Sequence, residues 1–276
     1  MLTRPIPKSN EQLPVVGLGT WQTFDVGTAS RERSALARVA TDFFRSGGTV
    51  IDSSPMYGGA EEVVGDLLAE PHVIPEGVRP FLATKVWTRG RQAGIDEMNR
   101  SMARMRTTTM DLMQVHNLVD ADTHLPVLRE WKQAGKIRYI GITHYAHSAF
   151  DELERRMRTD ELDFVQLPYS IVDRAAEKRL LPVAQDTGTA VLVMRPFAEG
   201  QIFRRVHGKP LPDWASDFDC TSWSAFLLKF VLSHPAVTCP IPATANPSHL
   251  ADNCRAGDGR LPDEATREKM ARLFTI

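Results

Sequence analysis

Short apolar runs alternate with amphipathic stretches along nearly the whole chain, and the change of period between them predicts the elements. Residues 15–19 read as a strand. After a loop with Gly27, Ser30–Arg45 places Leu36, Val39, Ala40 and Phe43 on one helical face, and Gly47 and Gly48 end that helix. The alternation continues through a strand at 49–53, a helix at 61–69, a strand at 80–86 and a helix built on Ile95, Met98, Met102 and Met105. Next come the strand Met110–His116, a helix at 125–134 and the strand Ile137–Thr143. A helix from Ser148, a strand at 163–168, a helix at 175–186, a strand at 190–195 and a long loop at 198–221 follow. The last pair is a helix carrying Trp223, Phe226, Leu227, Phe230 and Val231 and a strand at 237–242.

Strands rich in Val, Ile and Leu without polar alternation are the mark of parallel strands covered on both faces. Eight strand–helix units in about 250 residues fit a closed (β/α)8 TIM barrel. The rival, an open doubly wound sheet, advertises a Gly-rich fingerprint after its first strand. Here that strand ends GLGTW (17–21), with no third glycine opening a helix. Residues 3–13 hold two short extended pieces about Ser9 and Asn10, an N-terminal hairpin expected to close the barrel floor. Residues 261–274 begin with Pro262 at a helix start and carry Met270, Leu273 and Phe274 as the apolar edge of an extra C-terminal helix. No linker, repeat or low-complexity tract interrupts residues 1–276, which are read as one barrel domain.

Composition narrows the partners. Lys plus Arg total 33 and Asp plus Glu total 34, a formal net charge of −1. That balance argues against nucleic acid or an anionic membrane as the main partner. Basic runs at 100–106 and 204–209 read as solvated helix faces. Cys220, Cys239 and Cys254 are too few and too scattered for a disulfide framework or a zinc knuckle. His144 and His147 lack a third ligand at matching spacing, so no metal is expected. No apolar run approaches the roughly 20 residues of a membrane helix, and residues 1–14 lack the apolar stretch of a signal peptide. A cytoplasmic protein is the expectation.

In such a barrel the reactive residues gather where strands end. Those ends carry Gly19 and Thr20, Asp52 with nearby Tyr57, Lys85, His116, Thr143 and His144, Gln166, Arg195 and Thr244. Asp52, Tyr57, Lys85 and His116 form a coherent set. A tyrosine hydroxyl loses its proton near pH ~10, too high for an efficient acid at neutrality. Lys85 can lower that value, Asp52 can hold Lys85 charged, and a neutral His116 can orient a carbonyl oxygen beside Tyr57. None is a good nucleophile. The set suits proton delivery to an oxygen gaining negative charge, which is carbonyl reduction with a hydride from elsewhere.

Four segments then carry a resemblance. VIDSSPMYGGAEEVVG (50–65), ATKVW (83–87) and LMQVHN (112–117), following VVGLGTW (15–21), resemble the aldo-keto reductase superfamily in order and spacing, and the likeness runs on to Asn253. It implies a nicotinamide cofactor held in an extended pose across the barrel mouth, NADP(H) by family habit with NAD(H) as the alternative. By the same resemblance Tyr57 is the general acid, Asp52 and Lys85 tune it, and His116 positions a small-molecule carbonyl substrate. Thr143 and His144 would hold the carboxamide, with Gln166, Gly19, Thr20 and Asp52 near the ring and ribose and Asn253 near the adenine.

Departures from the family pattern matter. Met194, beside Arg195, replaces the nicotinamide-stacking aromatic. Ala243 and His249 replace basic residues that contact the 2′-phosphate, leaving Thr244 and the helix start near Pro247 as anion donors. Trp21 and Trp87 match pocket-lining positions, Asn117 stands where many relatives carry tryptophan, and Phe24, Trp214 and Trp223 are further candidates for the wall. The chain, ending at Ile276, is expected to lack the long C-terminal loop of larger relatives. The weakened phosphate clamp leaves a second reading, a non-catalytic cofactor-binding redox sensor on the same barrel. The oligomeric state is not encoded in any pattern here.

Overall fold

The computed structural model describes residues 1–28 and 30–275. An antiparallel hairpin of β1 (Thr3–Pro5) and β2 (Gln12–Pro14) precedes eight further strands. These are β3 (Leu18–Gly19), β4 (Val50–Asp52), β5 (Phe81–Val86), β6 (Met110–His116), β7 (Ile137–Thr143), β8 (Phe164–Pro168), β9 (Ala190–Met194) and β10 (Val237–Pro240). All neighbours pair in parallel, in chain order. Between them lie α1 (Ser30–Arg45), α2 (Ala60–Ala69), α3 (Arg91–Arg104), α4 (Ala121–Gln133), α5 (Phe150–Thr159), α6 (Leu180–Asp186), the short α7 (Ile202–Val206) and α8 (Trp223–Leu232). Helices α9 (Pro247–Arg255) and α10 (Glu264–Arg272) follow the last strand. This is the expected (β/α)8 barrel, with its hairpin and its extra helix.

The sheet closes where β3 meets β10. Gly17 N–H donates to Pro240 O at 2.9 Å and Gly19 N–H to Pro242 O at 3.2 Å, with a parallel bridge between Gly19 and Ala243. Pro242 has no N–H to return to Gly17 O, so that part of the seam is bonded in one direction, and β3 is shorter than the strand expected at 15–19. Gly19 also allows the close approach: a Cβ there would lie 2.6 Å from Ile241 O.

Every second residue of a barrel strand points inward. Val50, Phe81, Ala83, Leu112, Tyr139, Phe164, Ala190, Leu192 and Cys239 fill the lower interior, and Ile6 and Leu13 of the hairpin plug it from below. Tyr139 and Arg138 bind Glu11 of the hairpin, and Arg138 also reaches Asp111 at 2.7 Å. The outward residues pack against the helices in a second, larger cluster.

Three local expectations change. Residues 175–186 form a 3-10 turn, Ala175–Lys178, and then α6, broken at Arg179 (φ −147°, ψ −65°). Pro182 explains the break, because in a continuous helix its ring would strike the carbonyl four residues back. The terminal helix starts after Asp263, whose carboxylate caps it by accepting from Thr266 N–H at 2.8 Å, so Pro262 lies before the cap. The 198–221 loop contains α7 and a 3-10 turn, Asp213–Phe218.

Candidate active site

The inward register that is apolar below becomes polar above. Two or four residues further along the strands, Val50 gives way to Asp52, Ala83 to Lys85, Leu112 to Gln114 and His116, Phe164 to Gln166, and Tyr139, past Gly141, to Thr143. These side chains form a buried polar collar under the barrel mouth. Gly141 is needed for it: a Cβ there would lie 2.9 Å from Gln114 Cγ and 3.2 Å from Phe164 Cβ.

At the centre is an ion pair. Lys85, with no residual exposure, donates through Nζ to Asp52 Oδ2 at 2.6 Å and to Ser53 O at 2.7 Å. Asp52 also accepts from Gln114 Nε2 at 3.0 Å and Gln166 Nε2 at 3.1 Å. Burial works against the Lys85 charge, but Asp52 and then Tyr57 outweigh it and hold the amine above the ordinary lysine range. The Tyr57 ring lies over this amine, 5.0 Å from Nζ to the ring centroid. Here the electrostatics differ from expectation. Burial is the strongest influence on the Tyr57 phenol and raises it above its ordinary value, with Lys85 pulling down less strongly. In the cofactor-free protein the phenol is therefore a firmly protonated group.

His116 meets Tyr57 edge to face, with centroids 5.9 Å apart at 86°, and Trp87 at 6.2 Å. Burial, then Lys85 and His144, push its imidazole down to about 3, so the ring is neutral at physiological pH. Its Nδ1 lies 3.0 Å from Ser54 Oγ.

The remaining predicted residues fall into two groups. Thr143 Oγ1 and Gln166 Oε1 are buried without a partner among the described residues, which is an open hydrogen-bonding demand at the mouth. Met194 is half-buried at the end of β9, paired with Pro168 of β8. Thr20, His144, Arg195 and Thr244 have protein partners of their own. Thr20 is tied by its hydroxyl and amide to Asp52 O at 3.0 and 3.1 Å. His144 Nδ1 accepts from Ala146 N–H at 3.0 Å, and its ring stacks on Tyr145. Arg195, at φ +54°, pairs with Glu199 at 3.1 Å and lies 4.9 Å over Tyr145. Thr244 is buried and accepts from Asn246 N–H at 3.0 Å, while Asn246 caps α9 by accepting from Ser248 N–H at 2.9 Å. His249 is exposed on that first turn and Asn253 is buried.

Residues 15–269 match the model of the aldo/keto reductase family. The chain belongs to that family. Among curated relatives of this aldo/keto reductase, a protein named methylglyoxal reductase in Escherichia coli is 28% identical over 250 residues, spanning 87% of this chain and 84% of the relative. An NADH-specific methylglyoxal reductase from the same organism is 30% identical over 71% of this chain and 67% of its own length. An aldo-keto reductase of Bacillus subtilis is 30% identical over 67% of this chain, a match that spans 59% of that relative. An aldo-keto reductase of Klebsiella pneumoniae solved with NADP and acetate has a TM-score of 0.80 at 24% identity, covering 96% of this chain and 93% of that one. The last likeness supports the barrel fold, and family membership makes the chain an oxidoreductase.

The mouth of this aldo/keto reductase has an apolar rim. Trp21 and Trp87 stand 38% and 43% exposed, and Met56, Tyr145 and Val172 are likewise exposed large apolar side chains, each after the C-terminal end of a barrel strand. Apolar side chains exposed together at one face are a feature of binding surfaces. Asn117 is half-buried at φ +50°, opening the β6–α4 turn. Phe24 lies in the core instead of the pocket wall. Trp214 and Trp223 pack on Phe226 of α8, and Trp223 also on Phe274 beyond α10, because the loop between β9 and α8 folds back on these helices. Ser54 and Gln114 were not singled out from sequence. A polar residue inside an apolar strand, as in MDLMQVH, was the available signal for Gln114. Among the described residues, no group of three or more His, Cys, Asp or Glu is placed to hold a metal, and no helix is long and apolar enough to cross a membrane.

Proposed function

We propose that this protein reduces aldehydes or ketones to alcohols with a nicotinamide cofactor, with Tyr57 as the general acid. The observation that carries the reading is the fully buried Lys85–Asp52 pair beneath the Tyr57 ring, with neutral His116 against its edge. The unpartnered Thr143 Oγ1 and Gln166 Oε1 fit the carboxamide of a nicotinamide, which offers both a donor and an acceptor. When bound there, the cofactor supplies the hydride. The chain's own residues do the rest. His116 orients the carbonyl oxygen, and Tyr57 delivers its proton as negative charge develops on that oxygen. Lys85 stabilises the phenolate left behind, and Asp52 keeps Lys85 protonated. Burial holds the proton on Tyr57 until the substrate oxygen takes it.

NADP(H) is the proposed cofactor, in keeping with the ligand of the Klebsiella structure. NAD(H) is the alternative, because one relative is named as NADH-specific and because Ala243 and His249 stand where a phosphate clamp would be. Small aldehydes, including 2-oxoaldehydes of the methylglyoxal type, are the proposed substrates, supported by the two relatives' names and the open side at Asn117. Loss of NADPH and NADH absorbance over a carbonyl panel tests this. Tyr57→Phe should lower kcat by about 10²–10⁴ while NADPH affinity stays within about twofold. Turnover retained within a few-fold of wild type would refute the assignment. Tight cofactor binding by the wild type with no turnover of any carbonyl would favour the redox-sensor reading.

A further inference from the structure

We propose that Ser54 is a positioning residue whose hydroxyl donates to Nδ1 of His116, fixing the tautomer that carries its proton on Nε2 and making the ring a donor. This rests on the reading of His116 as the group that meets the substrate carbonyl. Ser54 lies in the turn after β4 and is fully buried. Its Oγ accepts from Met56 N–H at 3.2 Å and lies 3.0 Å from His116 Nδ1, and it makes no other hydrogen bond among the described residues.

The two bonds fix the direction. A serine hydroxyl has one proton to donate, and buried donors find acceptors. With the Met56 amide already donating to the oxygen, a protonated Nδ1 would add a second donor and leave the hydroxyl proton without an acceptor. An unprotonated Nδ1 satisfies both groups. A neutral imidazole has one donor and one acceptor nitrogen, so the proton then sits on Nε2, which makes no hydrogen bond among the described residues. The ring stays neutral because burial disfavours its charged form. It is also wedged against Tyr57 and Trp87, and turning it over would replace Nδ1 with a carbon and lose the serine contact. Ser54 thus acts on the reaction only through the ring it holds.

Two-bond 1H–15N correlation on protein labelled at histidine reads the tautomer directly, with the His116 signals identified by their loss in His116→Gln. The expected result is an unprotonated Nδ1 and a protonated Nε2 in the wild type. A protonated Nδ1 would overturn the proposal. In Ser54→Ala the ring should exchange between tautomers, and kcat/KM for carbonyl reduction should fall about tenfold with cofactor affinity unchanged. Ser54→Thr, which keeps the hydroxyl, should restore the wild-type tautomer. A Ser54→Ala protein whose ring keeps the single wild-type tautomer would likewise overturn the serine's role. Turnover retained in Tyr57→Phe would instead remove the reaction assignment and leave the tautomer result standing.

Discussion

Asp52 is the acceptor on which three buried donors converge: Lys85 Nζ, Gln114 Nε2 and Gln166 Nε2. Asp52→Asn keeps the shape, removes the charge and turns one acceptor into a donor. With the remaining oxygen toward Lys85 and Gln166, the new amide nitrogen faces Gln114 Nε2, donor against donor. The Gln114 amide can turn to meet it, because its Oε1 has no partner in the wild-type protein. The hydrogen bonds are therefore recoverable and the charge is not. Breaking a buried pair by neutralising one partner costs about 3–5 kcal/mol, which lowers the melting temperature by roughly 10 °C for a domain of this size. Adding Lys85→Met removes the stranded ammonium in favour of an apolar chain, so the double variant should regain most of the stability while remaining inactive. Urea unfolding followed by far-UV circular dichroism, on the four proteins of the cycle, measures the coupling. An Asp52→Asn protein within about 1 kcal/mol of wild type, or a double variant weaker than that single variant, would show that the pair is not an interdependent buried charge pair.

Other expectations follow from the same geometry. Since His116 is pushed down to about 3 and Tyr57 is raised above its ordinary value, neither titrates near neutrality, and kcat/KM for reduction should be flat between about pH 5 and pH 8. An acid limb with an apparent pKa near that of free histidine would show His116 to be charged in the working enzyme. Changing exposed His249 to Arg should tighten NADPH about fivefold and leave NADH unchanged, because a guanidinium pairs with phosphate in a bidentate fork and an exposed pair is worth up to about 1 kcal/mol. Equal dissociation constants before and after the change would move the phosphate elsewhere. Gly141→Ala should cost roughly 1–3 kcal/mol by driving a methyl into Gln114 and Phe164. Thermal melting reads this, and an unchanged midpoint would mean that the collar can shift to make room.

Much of this architecture was legible because the outward faces of the strands and the inner faces of the helices speak through simple periodicity. Ile137–Thr143 and Met110–His116 begin and end where their apolar runs do. The mouth residues were legible for a second reason: a Lys and an Asp inside apolar strands have no structural use without each other. What stayed hidden depends on three-dimensional neighbours. Nothing local in SSPMY says that Ser54 faces His116, 62 positions away. The sign of the Tyr57 shift depends on how much water the fold removes, a quantity no spacing encodes. Trp214 and Trp223 were candidates for the pocket because aromatic residues after a seventh strand belong near a mouth, yet the intervening loop folds outward onto α8 and the terminal segment. Pro182 was a local signal for the break at Arg179, and it was outweighed by the apolar run around it.

The joint between the first and last barrel strands carries a further implication. At Pro240 and Pro242 the sheet edge accepts bonds and has no N–H to offer back, so the cylinder resembles a curled ribbon fastened by a clasp more than a continuous hoop. Opening that clasp exposes two amides, those of Gly17 and Gly19, and leaves every other ladder intact. Their rate of deuterium uptake therefore reports the parting of the barrel wall separately from the unravelling of the chain.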